Sequence, residues 1–222
     1  MLKFFIVSCS IGWGFLGFDA LGADSDLGRS EHTAPEETLT ESAASSTGST
    51  CGWTLSTNAV EWGMFISNIS GGYNFGRSWT AALSLHYSGI NYMTSRRKFR
   101  TFIVRPEMRW WPRAGYTGFF IDAHLEMAYY NFALTSRRYR IQDRDGSHPA
   151  LGGGLGVGYR LRLGSGRWAL EGQVGAGVYH LDYDRFYNRP NGQYVDTRRR
   201  TWFGIDNVAL SIVYNFNPTT QR

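Results

Sequence analysis

The sequence has little cysteine and no long internal hydrophobic run, and these two absences narrow the choice of fold. Cys9 and Cys51 are the only cysteines among 222 residues, and Cys9 lies in an apolar N-terminal segment. A chain cleaved after that segment keeps one thiol, which excludes an intramolecular disulfide. No internal stretch of about 18 apolar residues occurs, so the sequence predicts no internal transmembrane helix. The five histidines lack metal-ligand spacing, and we expect neither a metal nor another cofactor.

The N-terminus carries the features of an export signal. Lys3 precedes a mostly apolar stretch over residues 4–18, and the small residues Gly22-Ala23 follow it. This order predicts a signal peptide over residues 1–23. A retained membrane anchor is the alternative, and cleavage is favoured because Asp19 ends the apolar stretch early.

Charge divides the rest of the chain into two regions. Residues 24–52 hold six acidic residues and one arginine, a net charge of −5, and contain no aromatic residue. Such a segment buries too little apolar surface to fold alone, so we predict a disordered acidic linker. Residues 53–222 hold 21 basic and 11 acidic residues, a net charge of +10, and are predicted to form one domain.

The most informative pattern is an alternation over Thr117–Asn131. Odd-numbered positions from residue 119 to residue 129 are apolar, whereas the even-numbered positions include Asp122, His124 and Glu126. Successive side chains of a strand point to opposite faces, so one face is apolar and the other carries ionisable groups. An apolar exterior around a charged interior is typical of a barrel in the bacterial outer membrane, whose strands cross the lipid in about 9–11 residues.

Eight segments of the chain alternate in this way. They lie at about residues 55–64, 67–75, 79–89, 99–111, 117–132, 151–163, 168–182 and 201–216. Short and long connections also alternate, as periplasmic turns and extracellular loops do in barrels. The long connections are residues 91–98, 133–149 and 183–200. The sequence therefore predicts an all-β fold, an eight-stranded antiparallel transmembrane β-barrel with a disordered N-terminal tail, in the outer membrane of a Gram-negative bacterium.

Nine ionisable residues are expected to face the interior of this barrel. They are Arg105, Glu107, Arg109, Asp122, His124, Glu126, Arg160, Arg162 and Glu171. An eight-stranded barrel is filled by its own side chains, and buried charges there must be paired and hydrogen-bonded. We favour a structural polar plug. The alternative is a narrow gated pore, or a proton-responsive site around His124, whose neighbours Asp122 and Glu126 favour its charged form.

The excess positive charge falls mainly in and beside the long connections. The candidate lipopolysaccharide-binding residues are Arg96, Arg97, Lys98, Arg137, Arg138, Arg140, Arg198, Arg199 and Arg200. Arginine is well shaped for bidentate contacts with the phosphates of an outer-leaflet glycolipid. A generic solvated loop surface is the alternative. Export and the barrel pattern argue against nucleic acid as a partner.

An enzyme is the less favoured class of function. His86-Tyr87-Ser88 faintly resembles the His-x-Ser motif of outer-membrane lipid A deacylases. The alternation, however, places His86 and Ser88 inside, away from membrane acyl chains, so we predict no catalytic residue. The glycines between residues 152 and 158 alternate with apolar residues, which indicates a strand with small inward positions and not a nucleotide-binding loop.

Six tryptophans lie near the predicted strand ends, where barrels carry aromatic girdles at the membrane interface. They are Trp62, Trp79, Trp110, Trp111, Trp168 and Trp202. The last strand ends in Tyr214-Asn215-Phe216, which resembles the C-terminal signal read by the barrel assembly machinery.

One stretch of the chain resembles a known family. Val104–Trp111 (VRPEMRWW) closely resembles the most recognisable segment of a family of unknown function, DUF3575, and matching segments follow in the same order. They are Gly118–Phe120, Gly154–Tyr159, Arg167–Glu171, Gly175–Val178 and Asp182–Asp184. The resemblance covers about residues 55–216. It implies an outer-membrane barrel often encoded near fimbrial genes, so fimbrial or other surface proteins are expected partners, and it supplies no catalytic residue.

Overall fold

The computed structural model describes residues 51–91, 98–133, 138–164, 167–189 and 191–216. The predicted signal peptide, nearly all of the predicted acidic linker, and Arg96, Arg97 and Arg137 lie outside the described residues. The elements in chain order are β1 Gly52–Asn58, α1 Ala59–Gly63, β2 Ser67–Phe75, β3 Trp79–Asn91, β4 Lys98–Trp110, β5 Gly118–Phe132, β6 Tyr139–Asp143, β7 Ala150–Leu163, β8 Trp168–Tyr187 and β9 Tyr194–Asn215.

The nine strands form one antiparallel sheet that closes into a ring. Strands β1 to β5 pair in sequence, β5 continues to β7, β8 and β9, and β9 returns to β1. The closing ladder pairs Thr54 with Asn215 and Asn58 with Ser211. The predicted all-β antiparallel fold is therefore confirmed. In the described residues, the one helix, α1, is too short to cross a membrane.

The structure adds one strand to the eight predicted. Strand β6 lies in the segment 133–149, which we expected to be a long loop. Strands β5 and β8 extend past the start of β7, and this would leave their backbone amides and carbonyls without partners. Strand β6 pairs with both, joining Phe132 to Ile141 on one side and Asp143 to Tyr183 on the other.

The first predicted strand, residues 55–64, is wrong in its second half. Strand β1 ends at Asn58, whose side-chain Oδ1 accepts a hydrogen bond of 3.1 Å from the backbone N–H of Val60. This contact caps the short helix α1, so a local side-chain interaction ends the strand. Helix α1 then packs beside β9 and β2.

The last long connection, residues 183–200, is also largely β-structure. Strand β8 continues to Tyr187 and β9 begins at Tyr194, so Arg198, Arg199 and Arg200 lie on a strand and not in a loop. Oppositely charged pairs across the two strands stabilise this extension. The Arg185 Nη2 to Asp196 Oδ2 distance is 2.6 Å.

The two ends of the ring differ in their connections. At the turn end, short segments join β2 to β3, β4 to β5 and β7 to β8, and β1 begins beside the end of β9. At the loop end lie α1, β6 and the extension of β8 and β9. Short and long connections thus separate as the sequence predicts.

The outward face of the ring is apolar around its middle, and we call this surface the outer belt. It comprises the outward positions of Trp79–Tyr87, Phe102–Trp110, Phe119–Tyr129, Leu151–Leu163, Trp168–Val178 and Ile205–Tyr214. Leu125 and Leu155 are each 66% exposed. Among these described outward positions there is no Asp, Glu, Lys, Arg or His.

The inward face has three layers. Nine buried apolar residues fill the loop end: Ile66, Phe99, Ile103, Ala128, Tyr130, Phe132, Ala150, Leu181 and Tyr183. Trp111, Tyr116 and Phe120 fill the turn end. Polar and charged side chains occupy the layer between these two clusters. The interior is therefore closed by apolar side chains above and below its charges.

Two tryptophans do not lie where we predicted. Trp111 is fully buried inside the ring, where its Nε1 donates a 2.9 Å hydrogen bond to Thr80 Oγ1. It shares the inward parity of Arg109 two residues before it. Trp202 packs against the loop-end cluster, while Trp62, Trp79, Trp110 and Trp168 are exposed.

Candidate functional site: a charged lumen and a cationic rim

The lumen layer is built mainly from two neighbouring strands. Because side chains alternate, Arg105, Glu107 and Arg109 of β4 point inward, and Asp122, His124 and Glu126 of β5 point inward beside them. The register pairs Arg109 with Asp122 and Glu107 with His124 directly across the two strands. All six side chains are buried. Local alternation therefore concentrates six ionisable groups on one side of the lumen.

An arginine pair shares one carboxylate near the turn end. Glu171 accepts hydrogen bonds from Arg109 Nη1 at 2.7 Å and from Arg160 Nε at 2.6 Å. Arg109 also pairs with Glu107 on its own strand. The two guanidinium groups lie over aromatic rings, Arg109 over Phe120 and Arg160 over Trp111, at 5.0 and 4.8 Å from the ring centroids. Each cation thus has both a carboxylate and an aromatic neighbour.

His124 lies between two carboxylates in the middle of the lumen. Its Nδ1 is 2.9 Å from Asp122 Oδ1, and its Nε2 is 2.8 Å from Asp206 Oδ2. The side chains of all three residues are fully buried. A neutral imidazole has one N–H, whereas the protonated ring donates to both carboxylates. The geometry therefore favours the charged form of His124.

A third group of contacts in the polar layer connects Arg105 with Glu126, Tyr179 and Asp206. Arg105 Nε donates to Glu126 Oε2 at 2.9 Å, and the Tyr179 hydroxyl donates to Asp206 Oδ2 at 3.0 Å. The same hydroxyl is 3.4 Å from Glu126. Gln173 Nε2 joins the other side of the layer, donating to Asp122 at 2.9 Å. Polar contacts therefore continue across the whole lumen.

Together these contacts form one chain of eleven side chains, which we call the lumen network. In order it runs Arg160, Glu171, Arg109, Glu107, Gln173, Asp122, His124, Asp206, Tyr179, Glu126 and Arg105. The structure brings together eight of the nine predicted lumen residues. Arg162 lies apart near the turn end, half-buried, and its Nη2 donates to the carbonyl of Gly115 at 2.9 Å.

Sequence reasoning missed Asp206 as a lumen residue for a physical reason. On β9 the even-numbered residues Val208, Leu210 and Ile212 share a face, and simple alternation puts Asp206 on that outer face. The register between β8 and β9 shifts between Gly175 and Ala176, which marks a bulge. A bulge reverses the facing of the residues beyond it. Asp206 is therefore buried at 2% exposure and contacts His124.

The glycines of β7 provide the space for the lumen network. A side chain at Gly154 would collide with the backbone carbonyl of Ala176, with Asp206 and with His124, and one at Gly156 would collide with Asp122. Gly152 and Gly158 likewise face Tyr179 and Phe120. Small residues are thus required where bulky polar groups cross the lumen.

A second, smaller polar cluster joins α1 to β3. Glu61 is buried, and its Oε2 lies 2.6 Å from His86 Nδ1, while Asn58 Nδ2 donates to Glu61 Oε1 at 3.0 Å. His86 Nε2 makes no hydrogen bond within the described residues. The Ser88 hydroxyl contacts the backbone carbonyls of Phe65 and Phe99, each at 3.3 Å. His86 thus has an orienting carboxylate, but Ser88 is directed elsewhere.

A small polar cavity separates this cluster from the lumen network. Its volume is about 30 Å³, and Glu61, His86, Arg105, Glu107 and Arg109 are among its lining residues. A space of this size accommodates about two water molecules. In the described residues, no group of three or more His, Cys, Asp or Glu is arranged to hold a metal ion.

The predicted cationic residues divide into two sets at the loop end. On the extension of β8 and β9, Arg198 Nε is 3.1 Å from Asp196 and Arg199 Nε is 3.1 Å from Asp182. Arg200 lies on the same strand, and Arg138 is exposed just before β6. Lys98 and Arg140 belong to a different set on β4 and β6, where no carboxylate of the described residues lies within ion-pair distance of them.

Residues 38–216 match the family described as "Protein of unknown function (DUF3575)". No curated protein and no solved structure matches the chain.

Proposed function

The chain belongs to the DUF3575 family, and we propose that it is a non-enzymatic outer-membrane β-barrel. In this proposal eight strands cross the lipid, the lumen network plugs the interior, and the cationic loop end contacts lipopolysaccharide or neighbouring surface components, including fimbrial ones. The protein is exported by its signal peptide and inserted by the barrel assembly machinery.

The observation that carries this proposal is the inverted polarity of the ring. Large apolar side chains of the outer belt are exposed, whereas Arg, Asp, Glu and His are buried inside. A monomeric protein in water rarely exposes a continuous apolar surface of this extent. Lipid as the surrounding medium removes that conflict, since it solvates an apolar belt flanked by aromatic girdles.

The dimensions of the outer belt support the same proposal. The belt positions of β5 run from Phe119 to Tyr129. Ten residue steps measure about 33 Å along a strand, or about 25 Å along the barrel axis for a tilt of about 40°. Exposed aromatic residues border the belt at the turn end, including Trp53, Trp79 and Trp168. Tyr87 and Phe102 border it at the loop end.

The two apolar clusters favour a plug over a pore. An ion entering the lumen meets the buried ring of Trp111 at one end and the stacked pair Phe99 and Phe132 at the other. Between them the lumen network pairs its charges with one another. We therefore expect no steady single-channel current in planar bilayers. Regular current steps that disappear in Arg105→Ala or Glu126→Ala would support the gated pore instead.

Cell fractionation tests the location directly. The full chain expressed in a Gram-negative host should collect in the outer-membrane fraction and should migrate faster on gels before heating than after it. Recovery as a soluble periplasmic protein would contradict the proposal.

A charge placed on the outer belt tests contact with lipid. Leu125 points outward and is 66% exposed, so Leu125→Arg should be nearly neutral in water but should cost about 2–4 kcal/mol near the bilayer midplane. The measurement is the free energy of unfolding in vesicles by urea titration. His180→Arg is the matched control, because His180 is already an exposed polar side chain at the loop end. Equal stability of the two variants would argue against a membrane around Leu125.

Glycolipid contact is tested by binding. The detergent-solubilised wild-type chain is expected to bind bisphosphorylated lipid A more tightly than dephosphorylated lipid A.

Loss of an acyl chain from lipid A only in cells that contain the protein would instead support the deacylase alternative. Mass spectrometry of extracted lipid A measures this.

A further inference from the structure

A groove of about 380 Å³ lies on the wall of the ring at the loop end. Two outward rows of side chains from β3 to β6 line it. The upper row is Gly89, Arg100, Asn131 and Gln142, which are directly paired across the strands, and the lower row is Tyr87, Phe102 and Tyr129. The upper row is polar and the lower row is aromatic. The groove therefore spans the boundary between the outer belt and the charged rim.

The missing side chain at Gly89 shapes the groove. A Cβ atom at this position would lie 2.8 Å from the Tyr87 hydroxyl, so the Tyr87 ring leans over Gly89 along the wall. Gly89 is the direct partner of Arg100 on β4. The tilt of the Tyr87 side chain brings its ring and hydroxyl toward the guanidinium group of Arg100. Flat aromatic rings beside polar donors are suited to contact with a sugar ring.

Arg100 lines the upper row of the groove, and Lys98 and Arg140 lie close enough to Arg100 for the three charges to interact. Burial and then the neighbouring Arg140 and Arg100 lower the pKa of Lys98. Burial and then Arg100 lower the pKa of Arg140. The three charges thus repel one another, and none of them has a carboxylate within ion-pair distance among the described residues. Such a cluster is stabilised by an added anion.

Arg140 also has a donor that no described residue satisfies. Its buried Nε has no hydrogen-bond partner in the part of the chain that the structure describes, while its guanidinium lies over the Phe186 ring at 4.8 Å from the centroid. The ring fixes the guanidinium plane, and a phosphate oxygen would satisfy the donor. Asp143 lines the inner rim of the groove, where burial raises the pKa of its carboxyl group and backbone N–H groups of Asp143 and Tyr130 hydrogen-bond to it.

We propose that this groove binds one phosphorylated sugar of an outer-leaflet glycolipid. Arg100, Arg140 and Lys98 hold the phosphate, Tyr87, Phe102 and Tyr129 contact the sugar, and the acyl chains continue down the outer belt. This assignment rests on the proposed function, because it requires the lower row to face lipid. It shifts the main glycolipid site away from Arg198 and Arg199, which already pair with Asp196 and Asp182.

Binding of bisphosphorylated lipid A to the full chain in detergent tests the site. Arg100→Gln/Arg140→Gln should weaken binding at least about tenfold, because each charge-assisted contact with a phosphate is among the stronger hydrogen bonds. Arg198→Gln/Arg199→Gln removes the same charge from the same end and should change binding less than about twofold. Lys98→Gln, a milder variant, should weaken binding about threefold. Heat-modifiable gel mobility verifies that each variant is folded.

The other outcomes separate the groove from the general proposal. Wild-type binding that both double variants weaken equally, or that neither weakens, would overturn the groove and leave glycolipid contact standing. Absence of wild-type binding would overturn glycolipid contact itself. Dephosphorylated lipid A should bind the wild type and Arg100→Gln/Arg140→Gln alike. Displacement of lipid A by inorganic phosphate at micromolar concentration would assign the groove to free phosphate and overturn the glycolipid as its ligand.

Discussion

Buried charge in the lumen and charge at the groove are organised in opposite ways. In the lumen, Arg109 and Arg160 share Glu171, and His124 lies between two carboxylates. At the groove, Lys98, Arg100 and Arg140 face one another without a carboxylate within ion-pair distance among the described residues. Arginines therefore have two roles in this protein, which differ in whether a carboxylate is within reach. Paired arginines hold the ring closed, whereas the clustered ones are left to take an external anion.

The largest effect is expected from breaking the lumen network. Glu171→Gln leaves two buried guanidinium groups without their shared carboxylate, so the free energy of unfolding should fall by about 3–5 kcal/mol. Urea titration of the refolded protein in vesicles measures the change. The control is Asp145→Asn, an exposed carboxylate in the turn after β6, which should alter stability by about 0.5 kcal/mol or less. A similar small change in both variants would mean that the lumen pairs contribute little.

A second test fills the space that the lumen network occupies. Gly154→Ala places a methyl group against the backbone carbonyl of Ala176 and the side chains of Asp206 and His124. Overpacking of this kind should destabilise the fold by about 1–3 kcal/mol. Gly172→Ala on β8 is the matched control, because nothing lies within 4 Å of a Cβ atom there. The fraction of heat-modifiable protein after refolding measures both, and equal fractions would contradict the crowding.

The groove should respond in the opposite direction. Arg100→Gln/Arg140→Gln removes repulsion between like charges, so the lipid-free protein should keep its stability within about 0.5 kcal/mol or gain slightly. Thermal unfolding in glycolipid-free detergent measures this. A loss as large as that of Glu171→Gln would show that the groove arginines hold the fold together, and the contrast between the two regions would fail.

The smallest expected effect is the loosening of the β8 and β9 extension at low pH. Hydrogen bonds from Arg185 and then from Arg198 lower the pKa of Asp196 from 3.8 to about 2. Because its pKa is lowered, the Asp196 carboxylate stabilises the folded extension when the pH lies above the ordinary pKa of this group. This contribution is lost as the pH falls from about 4 toward about 2. The protection of the amide hydrogens across Tyr183–Arg200, relative to their intrinsic exchange rate at each pH, should therefore fall in that window. In Asp196→Asn this loss of protection should disappear, and a persistent loss would implicate another group.

The sequence predicted the parts of the fold that depend on strict alternation. The inward facing of Asp122, His124 and Glu126 follows from period-two alternation alone. Trp111 has the same inward parity, but its position near a strand end led us to expect it in an aromatic girdle. The alternation could not predict Asp206, because one bulge in β9 reverses the facing beyond it.

Two other features depended on contacts that a linear pattern does not contain. The capping contact of Asn58 converts the continuation of β1 into a helix, although the residues there still alternate. Arg198 and Arg199 read as a basic loop, yet carboxylates on the same and the adjacent strand hold them in a hairpin. The groove joins residues from four strands, so it depends on the register of β3 to β6, which no linear pattern contains.

The shortness of β1 has a mechanical consequence for the ring. Only five residue pairs, from Thr54–Asn215 to Asn58–Ser211, join the first strand to the last. Above them α1 and its side chains fill the wall in place of a backbone ladder. This seam joins the first strand of the ring to the last through five residue pairs, so its pairing should be the final step of assembly. The same pairing of β1 with β9 should be the first part of the ring to separate when the fold is destabilised.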